Sequence, residues 1–475
     1  MVKNNSTKED KAAFFKPEVI PAYLQSLVKL IYLLLRSKFN GFKLHRTVKV
    51  PTTWWEKPGI SVMYQIEFRP GWEWDRDYAK FNASMTGSDG KIKFDGPWCK
   101  IEDWVNLSKE IGLDYHILEI KWHDGICYFN TKLTEWKTEI DYTGLFADLS
   151  RKYKIPFMFY YSSLFDHNPQ FDGIQPDPRH TPSFLGLAKA PPYLDYLTKH
   201  YDEIIEQYKP DGMWFDWFWY RPEKTTIITL EHMQKHYPDV AITFNFTNCN
   251  PNSYNKKLHY TCGETHKDDG PLLVKQGDLT IFTSCWKWSN LNRSLRNQPW
   301  ENISPAGKWW QDPTLRDDPN EVLRIAAITM ACGGKLCLGA TSQMNGEIFP
   351  DQVRQLKILG QWYIPRKSIF AESVALRYGG ERPKGVQVNK ENFKCVADQS
   401  RDGVLLHIIN MKSNNDALEI TLNGKPWIGF TNAYLEPEHR EIVILRERDR
   451  LQINIKREDV DTVDTILRLT KGKTI

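Results

Sequence analysis

A carboxylate at the end of an apolar run is the first feature of this sequence that could do chemistry. In Asp211-Gly-Met-Trp-Phe-Asp216-Trp-Phe-Trp-Tyr220, the acidic side chain of Asp216 follows a short hydrophobic stretch and is surrounded by aromatics. A charge placed there is costly unless it is paired or used, and apolar walls would keep water from an anionic nucleophile. The competing structural reading is an aspartate that caps the next helix or pairs with Arg221. A second carboxylate, Glu264, lies 48 residues further on, in His259-Tyr-Thr-Cys-Gly-Glu264-Thr-His266, a stretch that reads as a strand followed by a loop. Two carboxyl groups flanking one bond are the usual requirement for cleaving a glycosidic linkage: one attacks or activates water, the other protonates the leaving oxygen.

Two further stretches could supply polar contacts. In Lys121-Trp122-His123-Asp124-Gly125 a histidine beside an aspartate can hydrogen-bond to hydroxyls, and the glycine permits a tight turn; a satisfied core histidine fits equally well. In Phe159-Tyr160-Tyr161-Ser162 the two phenols could meet a ligand, with one of them expected in the core. The eight cysteines are scattered without the paired spacing of a zinc site, so they read as reduced, buried thiols, and neither a metal nor a cofactor is implied. Lysine and arginine total 63 against 59 acidic residues, and the net +4 is too small and dispersed to indicate nucleic acid or an anionic membrane as partner. Aromatic residues make up 13% of the chain, with 18 tryptophans; most must be core, but such rings also suit the C–H faces of sugars.

These groups need a frame that brings distant loops together. From about residue 53 apolar runs alternate with amphipathic helical stretches, the rhythm of parallel strands joined by helices. Strands are expected at Ile60–Ile66, Tyr115–Lys121, Ile155–Tyr161, Gly212–Asp216, Val240–Phe246, His259–Cys262, Leu279–Ser284 and Lys335–Leu338. Eight of them point to an α/β fold of the (β/α)8-like TIM barrel class, whose reactive groups belong at the C-terminal strand ends. After Ser368 short alternating segments, among them Gly403–Asn410, Ala417–Leu422 and Glu441–Leu445, predict an antiparallel β-sandwich. The expected domains are a helical extension over 1–52, a barrel over 53–368 and a sandwich over 369–475. The extension predicts an amphipathic helix with Leu24, Leu27, Val28, Ile31, Leu34 and Leu35 on one face; it reads neither as a secretory signal nor as a transmembrane segment. A cytoplasmic location follows as the expectation, with secretion as the alternative.

In this order along the chain, the motifs resemble the α-L-fucosidase family, glycoside hydrolase family 29. Asp114 to Phe129 is similar to the family strand ending in Lys-His-His-Asp-Gly, Phe157 to Ser162 to its Tyr-Tyr-Ser strand, and Asp211 to Asp216 to the strand that presents the nucleophile. Cys332-Gly-Gly-Lys-Leu-Cys-Leu-Gly339, followed by Gly346-Glu-Ile-Phe-Pro350, resembles the closing barrel strand and its helix, so the likeness runs from about residue 55 to 470. The resemblance implies an exo-acting retaining enzyme without cofactor, acting on an oligosaccharide or glycoconjugate. Asp216 would be its nucleophile and Glu264 its acid/base, with the carboxyls about 5 to 5.5 Å apart. It also implies that His123 and Tyr160 or Tyr161 hold sugar hydroxyls.

The departures from the family pattern concern the sugar pocket. The first-strand His-Trp-Gly is replaced by Ser61-Val-Met-Tyr-Gln65, Trp122 stands where the first histidine of the pair is expected, and Thr243-Phe-Asn-Phe246 lacks the usual arginine. Trp122, Trp214, Trp217, Trp219, Glu67, Trp72, Trp74, Asn245 and Trp286 are the candidates to reshape that pocket. The glycon is therefore open among L-fucose, L-galactose and other sugars. A carbohydrate-binding barrel without catalysis and an endo-acting glycosidase are the competing readings, and a homo-oligomer is compatible with all of them.

Overall fold

The computed structural model describes residues 52–66, 86–89, 91–92, 99–164, 166–171, 190–216, 224–245, 257–264, 299–308, 314–316, 318–343, 345–372, 374–375, 383–400, 402–412 and 416–472. Residues 46–475 belong to one compact unit, and only that unit is described below. The expected N-terminal helix lies outside the described residues, as do Leu279–Ser284, Glu67, Trp72, Trp74, Trp217, Trp219 and Trp286.

Eight parallel strands form the catalytic frame: β1 (Gly59–Gln65), β2 (Tyr115–Lys121), β3 (Phe157–Ser162), β4 (Gly212–Asp216), β5 (Ala241–Phe244), β6 (Thr261–Glu264), β7 (Trp300–Pro305) and β8 (Lys335–Thr341). Their order, β5-β4-β3-β2-β1-β8-β7-β6, leaves β5 and β6 at the two ends of the sheet. The chain just before β6 bridges that seam. The His259 amide donates to Ile242 O at 3.1 Å, the Ile242 amide to His259 Nδ1 at 3.0 Å, and Thr243 Oγ1 to Tyr260 O at 2.8 Å. The sheet is thus a closed barrel in all but ladder pairing.

Alternation along the strands sorts the side chains. Phe159 and Tyr161 of β3, and Met213 and Phe215 of β4, join the large core between strands and helices. Met158, Tyr160 and Trp214 point inward, where they pack with Tyr115, Ile117, Tyr260, Cys262, Ile303 and Cys337. Trp54 and Trp55 pack against this inner cluster. Around the barrel lie α1 (Ile101–Glu110), α2 (Tyr142–Tyr153), α3 (Pro191–Tyr208), α4 (Lys224–His236), α5 (Glu321–Ala331) and α6 (Pro350–Tyr363). Their starts follow local chemistry: Asp141 caps α2 by accepting from the Gly144 amide at 2.9 Å, and prolines occupy the first turns of α3 and α6, where no intrahelical donor is needed. Among the described residues no helix is long and apolar enough to cross a membrane.

Among the described residues, the strand that follows β6 lies at Trp300–Pro305, in the sequence Trp-Glu-Asn-Ile-Ser-Pro, a segment that the sequence pattern does not predict as a strand. A glutamate, an asparagine and a proline disguise it as a loop, yet every residue in it is buried. Its polar groups are satisfied internally: Asn302 Nδ2 donates to Thr329 Oγ1 at 3.3 Å, and Ser304 Oγ accepts from Arg316 at 2.9 Å. The sixth strand is shifted, so Glu264 ends β6 instead of sitting in the following loop.

After α7 (Lys367–Glu372) the chain forms two antiparallel sheets. One is ordered β10-β13-β17-β16, from Val386–Val388, Leu418–Asn423, Arg450–Ile455 and Ile444–Arg446. The other is β15-β14-β18-β12-β11-β9, from Arg440–Ile442, Asn432–Glu436, Asp464–Thr470, Gly403–Asn410, Phe393–Gln399 and Val374–Ala375. The segment expected as one strand over Glu441–Leu445 is split at Val443 between the two sheets. Helix α5 packs against β8 on one side and β11 and β12 on the other, which explains why it is buried on every face.

Candidate active site

Asp216 is the last residue of β4, on the inward face at the C-terminal end of the barrel, and is 7% exposed. Tyr160, paired across β3 with Trp214, donates its phenol to Asp216 Oδ2 at 2.5 Å. Asn245, the first residue after β5, donates its amide to Oδ1 at 3.0 Å. His123 Nε2 stands 3.6 Å from Oδ2. Each carboxylate oxygen is therefore oriented by an uncharged donor.

His123 is itself held from behind. Its Nδ1 pairs with Ser162 Oγ at 2.6 Å, the Trp122 ring stacks on it at 4.6 Å, and its carbonyl accepts from the His167 amide at 2.9 Å. Below it Lys121, fully buried, bonds the Ser162 carbonyl at 2.7 Å and Asp166 at 2.8 Å, and lies 4.5 Å over the Tyr161 ring. The register of β2 against β3 shifts between Glu119 and Lys121, a strand irregularity that re-aims the side chains beside the site. Burial raises the Asp166 carboxyl's pKa, opposed by the Lys121 charge. Asp124 turns the chain: its Oδ1 accepts from the Ile126 amide at 2.9 Å and its carbonyl from Trp136 Nε1 at 3.1 Å. The next residue, Gly125, has φ +79°, and a Cβ there would lie 2.2 Å from Asp166 Oδ1 and 2.6 Å from the Asn168 amide, so the turn requires glycine.

The structure thus brings Asp216, His123, Trp122, Tyr160 and Asn245 together, and it corrects two other expectations. Tyr161 faces outward and shares a 2.8 Å hydrogen bond with His200 of α3, because neighbours on a strand must face opposite ways. Trp214 points inward but sits one layer beneath the site: its ring stacks under Tyr160 at 5.3 Å and it is 1% exposed. Glu264 closes β6 at the same end of the barrel as Asp216; its side chain lies outside the described residues. Ser162 and Lys121 were not singled out as site residues from the sequence. A lysine ending an otherwise apolar strand and a serine ending the next are the signals that mark them.

The six described cysteines, Cys99, Cys127, Cys262, Cys332, Cys337 and Cys395, are buried and take part in no disulfide among the described residues. Burial pushes the Cys127 thiol up to about 12, opposed by the Lys121 charge, so it holds its proton.

A carboxylate ordered by neutral donors at the C-terminal mouth of a barrel is equipped to attack an electrophilic carbon or orient a water. Comparison with known proteins narrows this. The chain is 23% identical over 338 residues to the tissue alpha-L-fucosidase of Macaca fascicularis, covering 67% of this chain and 63% of that protein. It thus spans a little less than two thirds of that relative's length. It is 21% identical over 408 residues to the alpha-L-fucosidase of Branchiostoma floridae, covering 78% and 79% of the two chains. The crystal structure of Thermotoga maritima alpha-fucosidase in complex with a mechanism-based inhibitor superposes with a TM-score of 0.62 at 16% identity, over 88% of this chain and 96% of that one, and so shares the fold. The sequence profile described as Alpha-L-fucosidase matches residues 54–365, and on that match the chain belongs to the α-L-fucosidase family of glycoside hydrolases.

Proposed function

We propose that the protein is a retaining exo-glycosidase that releases a terminal α-L-fucosyl or closely related sugar, with Asp216 as nucleophile and Glu264 as acid/base. One observation carries this reading: Asp216 ends β4 almost buried, with Tyr160 and Asn245 each donating to one of its oxygens. Such donors favour the ionised carboxylate and fix its direction. In the first step an Asp216 oxygen bonds to the anomeric carbon while the bond to the leaving oxygen breaks, and Glu264 gives that oxygen its proton. In the second, Glu264 takes a proton from water, whose oxygen displaces Asp216, so configuration is inverted twice and retained. His123, 3.6 Å from Asp216 and stacked by Trp122, is placed to bond a sugar hydroxyl beside the reacting carbon.

The α-L-fucosidase family match supports the reaction class. Replacement of the family histidine by Trp122 removes one hydroxyl partner, and losing a buried polar partner changes discrimination strongly. A panel of aryl α-glycosides of L-fucose, L-galactose, L-rhamnose and common D-sugars tests the glycon, with turnover of the L-fucoside or L-galactoside expected. Turnover of D-sugars alone, or of none while sugars bind by calorimetry, would overturn the proposal.

A further inference from the structure

The barrel holds a second, deeper carboxylate that the reaction does not touch. Glu301, the second residue of β7, is wholly buried among inward-facing side chains. It accepts from the Tyr115 hydroxyl, from Trp214 Nε1 at 2.9 Å and from Cys262 Sγ at 3.2 Å. Lys335, the first residue of β8 and its register partner, supplies a nearby positive charge. That ammonium donates to the Trp55 carbonyl at 2.7 Å and lies 4.0 Å over the Tyr260 ring. Burial pulls the Lys335 pKa down to about 8, against the charge of Glu301, so a cation is kept there at real cost. Apolar residues of the same volume would fill this space more cheaply, because desolvating two charges is rarely repaid in full.

Of the contacts to Glu301, one leads toward the reacting atoms. An indole has a single donor, so the bond from Trp214 Nε1 to Glu301 fixes how that ring lies. The Tyr160 ring rests on it at 5.3 Å with an interplanar angle of 21°. Tyr160 then donates to Asp216 Oδ2. We propose that Glu301 is a positioning residue for catalysis, acting through the Trp214 indole and the stacked Tyr160 phenol to set the hydrogen bond on Asp216. The inference rests on the assignment of Asp216 as nucleophile.

The test is a double-mutant cycle read on an aryl α-L-fucoside, or on the best substrate of the panel. Glu301→Gln keeps the volume and can still accept from Trp214, but loses the charge that orders the donors. It should lower kcat roughly 5-fold with KM nearly unchanged and move the acidic limb of the kcat/KM profile upward, because a nucleophile with a looser donor is harder to ionise. Tyr160→Phe should shift the limb the same way and lower kcat more, on the order of 30-fold. Because Glu301 acts through Tyr160, the double variant should match Tyr160→Phe within about 2-fold. Trp214→Phe, which deletes the donor and keeps a ring, carries the same comparison should Glu301→Gln fail to fold. Effects that multiply in the double variant, or a lowered melting temperature with an unmoved pH limb, would overturn the inference and leave the nucleophile standing. A wild-type enzyme inactive on the whole panel would remove the functional reading and this inference together.

Discussion

Asp216 and Glu301 are two carboxylates in the lumen of one barrel, each ringed by donors, and the differences between them bear on the proposal that one is the nucleophile and the other a positioning residue. Asp216 is at a strand's C-terminal end, 7% exposed, with a phenol and an amide on its oxygens. Glu301 is near a strand's start, fully enclosed, with a phenol, an indole and a thiol on its oxygens and a lysine close by. The cations also divide unequally: Lys121 is bound to Asp166 at 2.8 Å, and Lys335 serves the deeper site. Burial alone therefore does not mark a nucleophile. On the proposed assignment, access at the C-terminal end of the strand does.

The largest test of this contrast is Asp216→Gly, expected to lower turnover on the order of 10³-fold or more, with azide restoring part of it; normal activity would erase the distinction. Glu301→Ala should act on stability as well as on turnover. It strands three donors and a lysine charge, so urea denaturation should show a loss of about 3–5 kcal/mol. Next comes Tyr160→Phe, which deletes one hydrogen bond to a charged group, worth about 1.5–3 kcal/mol, and should slow turnover ~10–100-fold while the unfolding midpoint moves little.

The smallest effect compares the barrel with the sandwich. His116, buried between Ser108 and Ser150 hydroxyls, is held down to about 3 by burial, so it folds neutral. Its unfolded form takes a proton near 6.5, and its share of stability is lost as pH falls from 6.5 toward 3. For His407 burial also acts to lower the pKa, but Asp464 at 2.7 Å and Asp398 at 3.8 Å outweigh it and raise the pKa above 6.5. That stabilisation is present below pH 6.5 and disappears as pH rises through the raised value. His116→Gln should flatten the acid side of a stability-versus-pH curve and His407→Gln the neutral side. Slopes of the same sign would contradict the assignment.

Much of this was legible in the sequence because its physics is local. A β-rich run ending in Asp216 gave a strand-end carboxylate, and the alternation after Ser368 gave the sandwich, because solvent-facing strands show their period openly. What escaped depends on partners far away in the chain. The strand Trp300–Pro305 reads as a loop until Tyr115 and Trp214 are known to satisfy Glu301. The choice between Tyr160 and Tyr161 was undecidable until the strand's facing was fixed, and Ser162 acquires meaning only from the His123 ring beside it.

The most direct measurement is to trap the enzyme with a 2-deoxy-2-fluoro-α-L-fucosyl fluoride and map the labelled peptide by mass spectrometry. A fluorofucosyl ester on Asp216 is the expected result. An ester on any other carboxylate, or turnover that releases the inverted sugar with no label, would contradict it.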